Sequence, residues 1–235
     1  MTVPKILIIS ISANLFFIVI GVLIGNPPEQ YFSKEATYIT WVSFTQMLII
    51  ANICWRIYKN VRLESDKSFW KSPALLWMLV FIGFLYLSLD EVIRIHENLD
   101  NIIHRIFHLQ KTEMSDRLDD AIVGLYGLLG IFVLLIFNSE LKRYKDALMI
   151  FGFGFVLFFL MVCADMSVNS TSFLKHLFHG CDISLLFSTI KILEESFKLM
   201  AEAVFISAFY SVFLMTKTRI INLFQSNTNN HYAAK

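Results

Sequence analysis

The sequence predicts an all-α fold, an integral membrane bundle of six transmembrane helices. Hydrophobic residues make up 56% of the 235 positions, with Phe alone contributing 23, and the mean hydropathy is +0.61. This apolar excess is concentrated in six runs that carry almost no charge. Each run with its flanks reaches the roughly 20 helical residues that cross about 30 Å of hydrocarbon. The sequence lacks the alternating ten-residue segments of a membrane β-barrel.

The six spans follow one another along residues 1–217 and leave a short tail, 218–235. Their predicted bounds are, in order, about 5–25, 38–56, 73–92, 119–138, 146–165 and 196–216. The first run is expected to be retained, because it is too long for the apolar core of a signal peptide and lacks a small-x-small cleavage pattern. The third helix is expected to continue outside the membrane to about His108, because apolar residues keep recurring at helical spacing.

The distribution of Lys and Arg predicts the orientation of the bundle. Three segments are rich in basic residues, namely 56–71, 138–146 and the tail after Met215. Short loops rich in Lys and Arg stay in the cytoplasm, and these three segments alternate correctly for six spans. Both termini are therefore predicted to be cytoplasmic, in a bacterial inner membrane. The formal net charge of +1 reflects this topology, and no nucleic-acid partner is expected.

Acidic residues gather at the predicted extracytoplasmic ends of the helices. Counting about 20 residues at roughly 1.5 Å each from the cytoplasmic boundaries places one or more carboxylates of four helices near the outer edge of the hydrocarbon. Glu202 lies deeper, where an ionised carboxylate costs roughly 2–3 kcal/mol on insertion scales. Its candidate partners at that depth are Tyr86, Ser88 and Tyr126. The pattern predicts an outward-facing acidic pocket among the third, fourth and sixth helices.

The densest motif, S-L-D-E-x4-H-E, ends the third span at residues 88–97. On a continuous helix Asp90, Arg94 and Glu97 would share one face, being four and then three residues apart. In one interpretation they form a salt-bridged helix surface. In the other, Asp90 and Glu97 point into the bundle and Arg94 keeps one of them ionised.

These residues predict a site with three kinds of role. The candidate catalytic groups are the carboxylates Glu97, Glu202 and Asp90, of which either Glu97 or Glu202 would serve as general base. The candidate ligands for a divalent metal, zinc, manganese or iron, are Asp90, Glu91, His96, Asp120 and Glu195. His96, Glu97 and Asp100 also form H-E-x-x-D, a variant of the H-E-x-x-H pattern of zinc proteases. The candidate substrate-binding cations are Arg94 and Lys198.

The motif at residues 88–97 is followed by Leu-Asp-Asp at 118–120 and by Glu-Glu-x6-Glu at 194–202. Together these strings resemble a group of small bacterial multispanning membrane proteins that is uncharacterised. The resemblance therefore implies a membrane location and carries no activity.

Three function classes stay open at this point. The first is a metal-dependent hydrolase or transferase acting on a lipid or lipid-linked substrate. The second is a transport subunit that binds a proton or cation. The third is a non-catalytic assembly protein with a protein partner in the membrane. Membrane lipids are expected to contact the chain in all three.

Overall fold

The computed structural model is mainly helical in the parts of the chain that it describes. The backbone is described for residues 2–33, 37–65, 67–108, 118–168 and 183–233, and side chains within these ranges except at 33, 118–121, 168, 183, 224 and 226–233. Within these ranges there is no strand. The helices are α1 (Val3–Ile24), α2 (Gln30–Ser33), α3 (Tyr38–Leu63), α4 (Ala74–Ile93), α5 (Ile95–Ile106), α6 (Leu118–Ile136), α7 (Asn138–Leu141), α8 (Lys145–Val168) and α9 (Ile183–Ala233).

Within the described ranges, five helical segments are long and apolar enough to cross a membrane. They are Val3–Ile24, Tyr38–Leu63, Ala74–Ile93, Asn138–Ser167 and Ser184–Leu223. The fourth predicted span corresponds to a shorter apolar stretch within α6, Ile122–Ile136. The sixth predicted span lies inside the 51-residue helix α9, which continues through most of the predicted tail. The predicted class, an all-helical membrane protein, agrees with these helices.

The chain forms two compact units. Unit 1 comprises residues 1–49 and 146–211, and unit 2 comprises residues 50–145 and 212–235. In unit 1, every residue of α9 from Ala201 to Phe209 is buried, and the ring of Phe151 on α8 packs against Phe205 in a tilted arrangement and against Phe209 edge to face. In unit 2, the indole of Trp77 meets the Tyr144 ring edge to face at 5.4 Å.

The predicted continuation of the third helix to His108 as one piece is wrong. α4 ends at Ile93, Arg94 takes a left-handed conformation (φ 56°, ψ 56°), and α5 starts at the next residue. A left-handed residue ends a helix, and for an L-residue it costs roughly 1–2 kcal/mol. Polar side chains stabilise the break, because Asn98 Nδ2 donates to the carbonyl oxygen of Ile93 (2.9 Å) and Asp90 Oδ1 accepts from the backbone N–H of His96 (2.9 Å).

Close packing of α1 in unit 1 depends on Gly21. A Cβ atom there would clash with Tyr38 Oη and lie 2.9 Å from the ring of Phe32. We expect Gly21→Ala to lower the free energy of unfolding by about 1–3 kcal/mol, because overpacking forces side chains or backbone to shift.

Gly152, on α8 of the same unit, is the matched control. None of the described atoms lies within 4 Å of a Cβ built there, so Gly152→Ala is expected to stabilise α8 by about 0.5–1 kcal/mol. Thermal unfolding in detergent, followed by circular dichroism, measures both variants. Equal changes of the unfolding temperature in the two variants would contradict this role of Gly21.

Candidate functional site

The break between α4 and α5 brings Asp90, His96 and Glu97 together in unit 2. Asp90 Oδ2 lies 2.7 Å from His96 Nδ1, and Asp90 Oδ1 accepts the backbone N–H of the same histidine. His96 Nε2 lies 3.9 Å from Glu97 Oε1. Asp90 is only 6% exposed, whereas the side chain of His96 is 24% exposed. The imidazole ring is therefore positioned between a buried and a half-buried carboxylate.

This geometry assigns a tautomer to the neutral imidazole of His96. A carboxylate only accepts hydrogen bonds, so Nδ1 carries the proton and donates a hydrogen bond to Asp90. The lone pair is then on Nε2, on the side of Glu97. An imidazole held in this way by a carboxylate can take up a proton at Nε2, and the carboxylate stabilises the resulting cation.

Arg94 contacts Glu97, with Nη1 at 3.1 Å from Oε2. The sequence had suggested one helix face shared by Asp90, Arg94 and Glu97. Because Arg94 takes a left-handed backbone conformation that separates α4 from α5, that continuous face does not form. The buried carboxylate of Asp90 pairs with His96 instead. Glu91, a predicted metal ligand, is half-buried in the last turn of α4.

A second carboxylate–imidazole pair lies farther along α5. His104 Nδ1 is 2.9 Å from Asp100 Oδ1 and 3.0 Å from the carbonyl oxygen of Asp100. Both residues are 6% exposed, and the buried His104 Nε2 has no hydrogen-bond partner among the described residues. The sequence analysis did not predict that Asp100 and His104 form a buried pair, although a spacing of four residues indicates contact on a helix.

Glu202 is buried in unit 1, and Ser43 Oγ of α3 donates a hydrogen bond to its Oε1 at 2.6 Å. Glu202 is thus buried among protein atoms, and its depth in a membrane stays a prediction. Of the partners suggested for it, Tyr86 and Tyr126 hydrogen-bond to each other in unit 2 at 2.6 Å, and Ser88 Oγ donates to a carbonyl of its own helix.

Two amides, Asn14 of α1 and Gln46 of α3, form a reciprocal pair in the same unit. Gln46 Nε2 donates to Asn14 Oδ1 at 2.9 Å, and Asn14 Nδ2 donates to Gln46 Oε1 at 3.3 Å. Asn14 Nδ2 also lies 2.6 Å from the carbonyl oxygen of Leu199 on α9. Gln46 lies one turn after Ser43, so these polar groups join three helices of unit 1. A polar amide within a run of apolar residues was the signal for this network, and sequence reasoning passed over it.

Glu195, the remaining predicted metal ligand of unit 1, and the nearby acids Glu194 and Asp165 form ion pairs with lysines of α9. Lys198 Nζ lies 2.7 Å from Glu195 Oε2, and Lys191 Nζ lies 2.8 Å from Glu194 Oε2 and 3.8 Å from Asp165 Oδ1. Pairs at a spacing of three residues are the common arrangement on a helix surface. The predicted substrate-binding cation Lys198 is therefore engaged by the predicted metal ligand Glu195.

The metal-ion prediction finds no support in the described part of the chain. There, no group of three or more His, Cys, Asp or Glu side chains is placed to hold a metal ion. Asp90, Glu91 and His96 belong to unit 2, and Glu195 belongs to unit 1. Asp120 lies in α6 at a position whose side chain is outside the described ones.

Comparison with protein-family models matches residues 10–213 to the family described as "Domain of unknown function (DUF8692)". Comparison with the curated proteins gives no match, and comparison with the solved structures gives none either.

Proposed function

The chain belongs to this family of unknown function, and we propose that it is a multispanning membrane enzyme that hydrolyses an ester bond of a lipid or lipid-linked substrate. His96 is the general base of this reaction. The observation that carries the proposal is the placement of one imidazole between two carboxylates, with Nδ1 at 2.7 Å from Asp90 and Nε2 at 3.9 Å from Glu97.

A water molecule between His96 and Glu97 is the nucleophile. Because Nε2 and Oε1 are 3.9 Å apart, one water oxygen can lie about 2.8 Å from both and donate one hydrogen bond to each. The water oxygen forms the new bond to the carbon or phosphorus atom of the ester while one of its protons moves to Nε2. The bond to the alcohol oxygen then breaks, and that oxygen takes the proton from Nε2. Ester and water thus become acid and alcohol.

Each neighbour of His96 has a distinct part in this reaction. Asp90 orients the ring and stabilises the imidazolium ion, as carboxylates do in other hydrolases. Glu97 accepts the second proton of the water in a hydrogen bond and so fixes the direction of attack. Arg94, paired with Glu97 at 3.1 Å, offers a positive charge to an anionic headgroup.

The position of the site favours an amphiphilic substrate. Asp90 lies at the end of α4, one of the helices long and apolar enough to cross a membrane, so the reacting groups lie where hydrocarbon gives way to headgroups. We place this end outside the cytoplasm, in a bundle of six spans that includes α6 and has both termini inside. The Lys and Arg residues of 56–71 and 138–146 support this orientation.

Hydrolysis in water enriched in oxygen-18 tests the proposal. The purified protein is incubated in mixed micelles with phospholipids, acylglycerols and a polyprenyl phosphate ester, and mass spectrometry follows the release of labelled acid. We expect label in the product, and we expect His96→Gln to reduce the rate by a factor of about 10²–10⁴, as for loss of a general base.

The matched control is His104→Gln, which alters the other carboxylate–imidazole pair of α5 and is expected to retain activity. No labelled product from any of these substrates would contradict the proposal. Equal rates for the wild type and His96→Gln would contradict it as well.

A further inference from the structure

The short helix α5 buries two ionisable side chains and exposes three large apolar ones. Asp100 and His104 are buried, whereas Leu99, Ile102 and Ile106 are exposed to 37%, 49% and 65%. A helix on a water-facing surface shows the opposite arrangement, with the apolar side turned to the core. The described part of the chain therefore leaves a strongly apolar surface open on α5.

The exposed surface of α5 divides into two sectors. At about 100° per residue, Leu99, Ile102 and Ile106 fall within an arc of about 60°, which we call the apolar sector. Asn98, Asn101 and Arg105 fall within the neighbouring arc of about 60°, the polar sector, and all three are exposed. A helix that lies in the plane of a membrane surface has these two sectors side by side.

We propose that α5 lies in the membrane interface, with the apolar sector docked into the acyl chains of the lipid bilayer. The proposal rests on the burial and spacing of the α5 residues and does not depend on the ester hydrolysis.

Continuity with α4 identifies lipid as the occupant of this surface. The large apolar side chains exposed on α4 recur at a spacing of three or four residues, at Leu79, Ile82, Leu85, Leu89 and Ile93. Such a stripe on a helix long and apolar enough to cross a membrane faces hydrocarbon. The stripe ends at Ile93, and α5 begins two residues later, so the apolar sector extends the same lipid-facing surface along the interface.

The polar sector supplies the complementary charge. Arg105 is exposed and lies next to Ile102, three residues earlier, on the helix surface. A cationic side chain beside an embedded apolar sector is attracted to anionic headgroups, at about 1 kcal/mol for each Lys or Arg near the surface. The same arrangement holds His96 and Glu97, in the first turn of α5, at the level of the headgroups.

Nitroxide labels on α5 test this placement in vesicles of phosphatidylcholine and phosphatidylglycerol. Single cysteines replace Ile102, Ile106 or Asn101 in a full-length chain in which Cys54, Cys163 and Cys181 are alanine. Power saturation compares collisions with oxygen, which is concentrated in acyl chains, and with a water-soluble nickel chelate. We expect oxygen to dominate at positions 102 and 106 and the nickel chelate to dominate at position 101.

Two outcomes would overturn the proposal. Collisions with the nickel chelate would dominate at positions 102 and 106 if the apolar sector faced water. Neither reagent would reach them, and dipolar broadening would appear, if a second copy covered the sector. The Asn101 label reports folding, and if the label at Ile102 prevents folding, Ile106 and Leu99 give the same measurement.

Discussion

Asp90→Asn is expected to lower the hydrolytic rate by a factor of about 10²–10⁴ while the break between α4 and α5 stays in place. The amide oxygen of Asn can still accept the backbone N–H of His96, which Asp90 Oδ1 accepts at 2.9 Å. The amide is neutral, however, so it stabilises the imidazolium ion less. If the NH₂ group of the asparagine faces His96 Nδ1, the neutral imidazole carries its proton on Nε2. Nε2 then cannot act as the base.

Two measurements separate these effects. The oxygen-18 assay gives the rate, and nitrogen-15 NMR of labelled histidine reports which ring nitrogen of His96 carries the proton. Asp90→Ala is the companion variant, because it removes both the charge and the acceptor for the His96 N–H. It should lose activity and also about 0.5–2 kcal/mol of stability, as other losses of a helix-capping side chain do.

Full activity in Asp90→Asn would limit Asp90 to capping α5. Loss of activity in Asp90→Asn with an unchanged tautomer and unchanged unfolding would instead assign the effect to the charge alone.

The helical class of the chain could be predicted because long apolar runs have few alternatives. The break at Arg94 could not, because the apolar spacing of Val92, Ile95, Leu99 and Ile102 continues through it without a Gly or Pro. The break depends on side-chain contacts of Asp90 and Asn98 with backbone groups. Such contacts compete with the helix at single residues and leave no periodic signal.

The residues of the candidate site could be predicted better than their roles. Asp90, His96 and Glu97 stood out in one motif, but helical spacing pairs Asp90 with Arg94. The six-residue separation of Asp90 and His96 becomes a 2.7 Å contact because the helix is broken at the left-handed Arg94. A role that depends on one backbone conformation cannot be derived from spacing alone.

Contacts between distant helices were the least predictable part of the fold. Glu202 was recognisable as buried because it lies in an apolar run, yet Ser43, which donates to it, is 159 residues away in the chain. Any polar group of similar depth was an equal candidate. The choice among them depends on how the helices of unit 1 rotate and pack, which hydropathy does not record.

The amide pair of unit 1 gives the largest expected effect on stability. Asn14 and Gln46 are 2% and 7% exposed, so water does not replace a lost partner. Asn14→Leu removes both hydrogen bonds between the two side chains. Gln46 Oε1 loses its donor at 3.3 Å, and Gln46 Nε2 loses its acceptor at 2.9 Å. We expect the free energy of unfolding to fall by about 1–3 kcal/mol for each polar group left unsatisfied.

The double variant Asn14→Leu/Gln46→Met separates a lost hydrogen bond from a packing defect. If the cost of Asn14→Leu comes from the stranded Gln46 amide, Gln46→Met removes that amide and restores most of the stability, because two apolar side chains of similar shape can replace a buried polar pair at little cost. The loss in the double variant is then smaller than the sum of the two single losses by at least about 1–3 kcal/mol, measured by unfolding in mixed micelles of increasing dodecyl sulfate content. Additive losses in the double variant would mean that the pair serves packing alone, and that the hydrogen bonds between α1 and α3 do not hold unit 1 together.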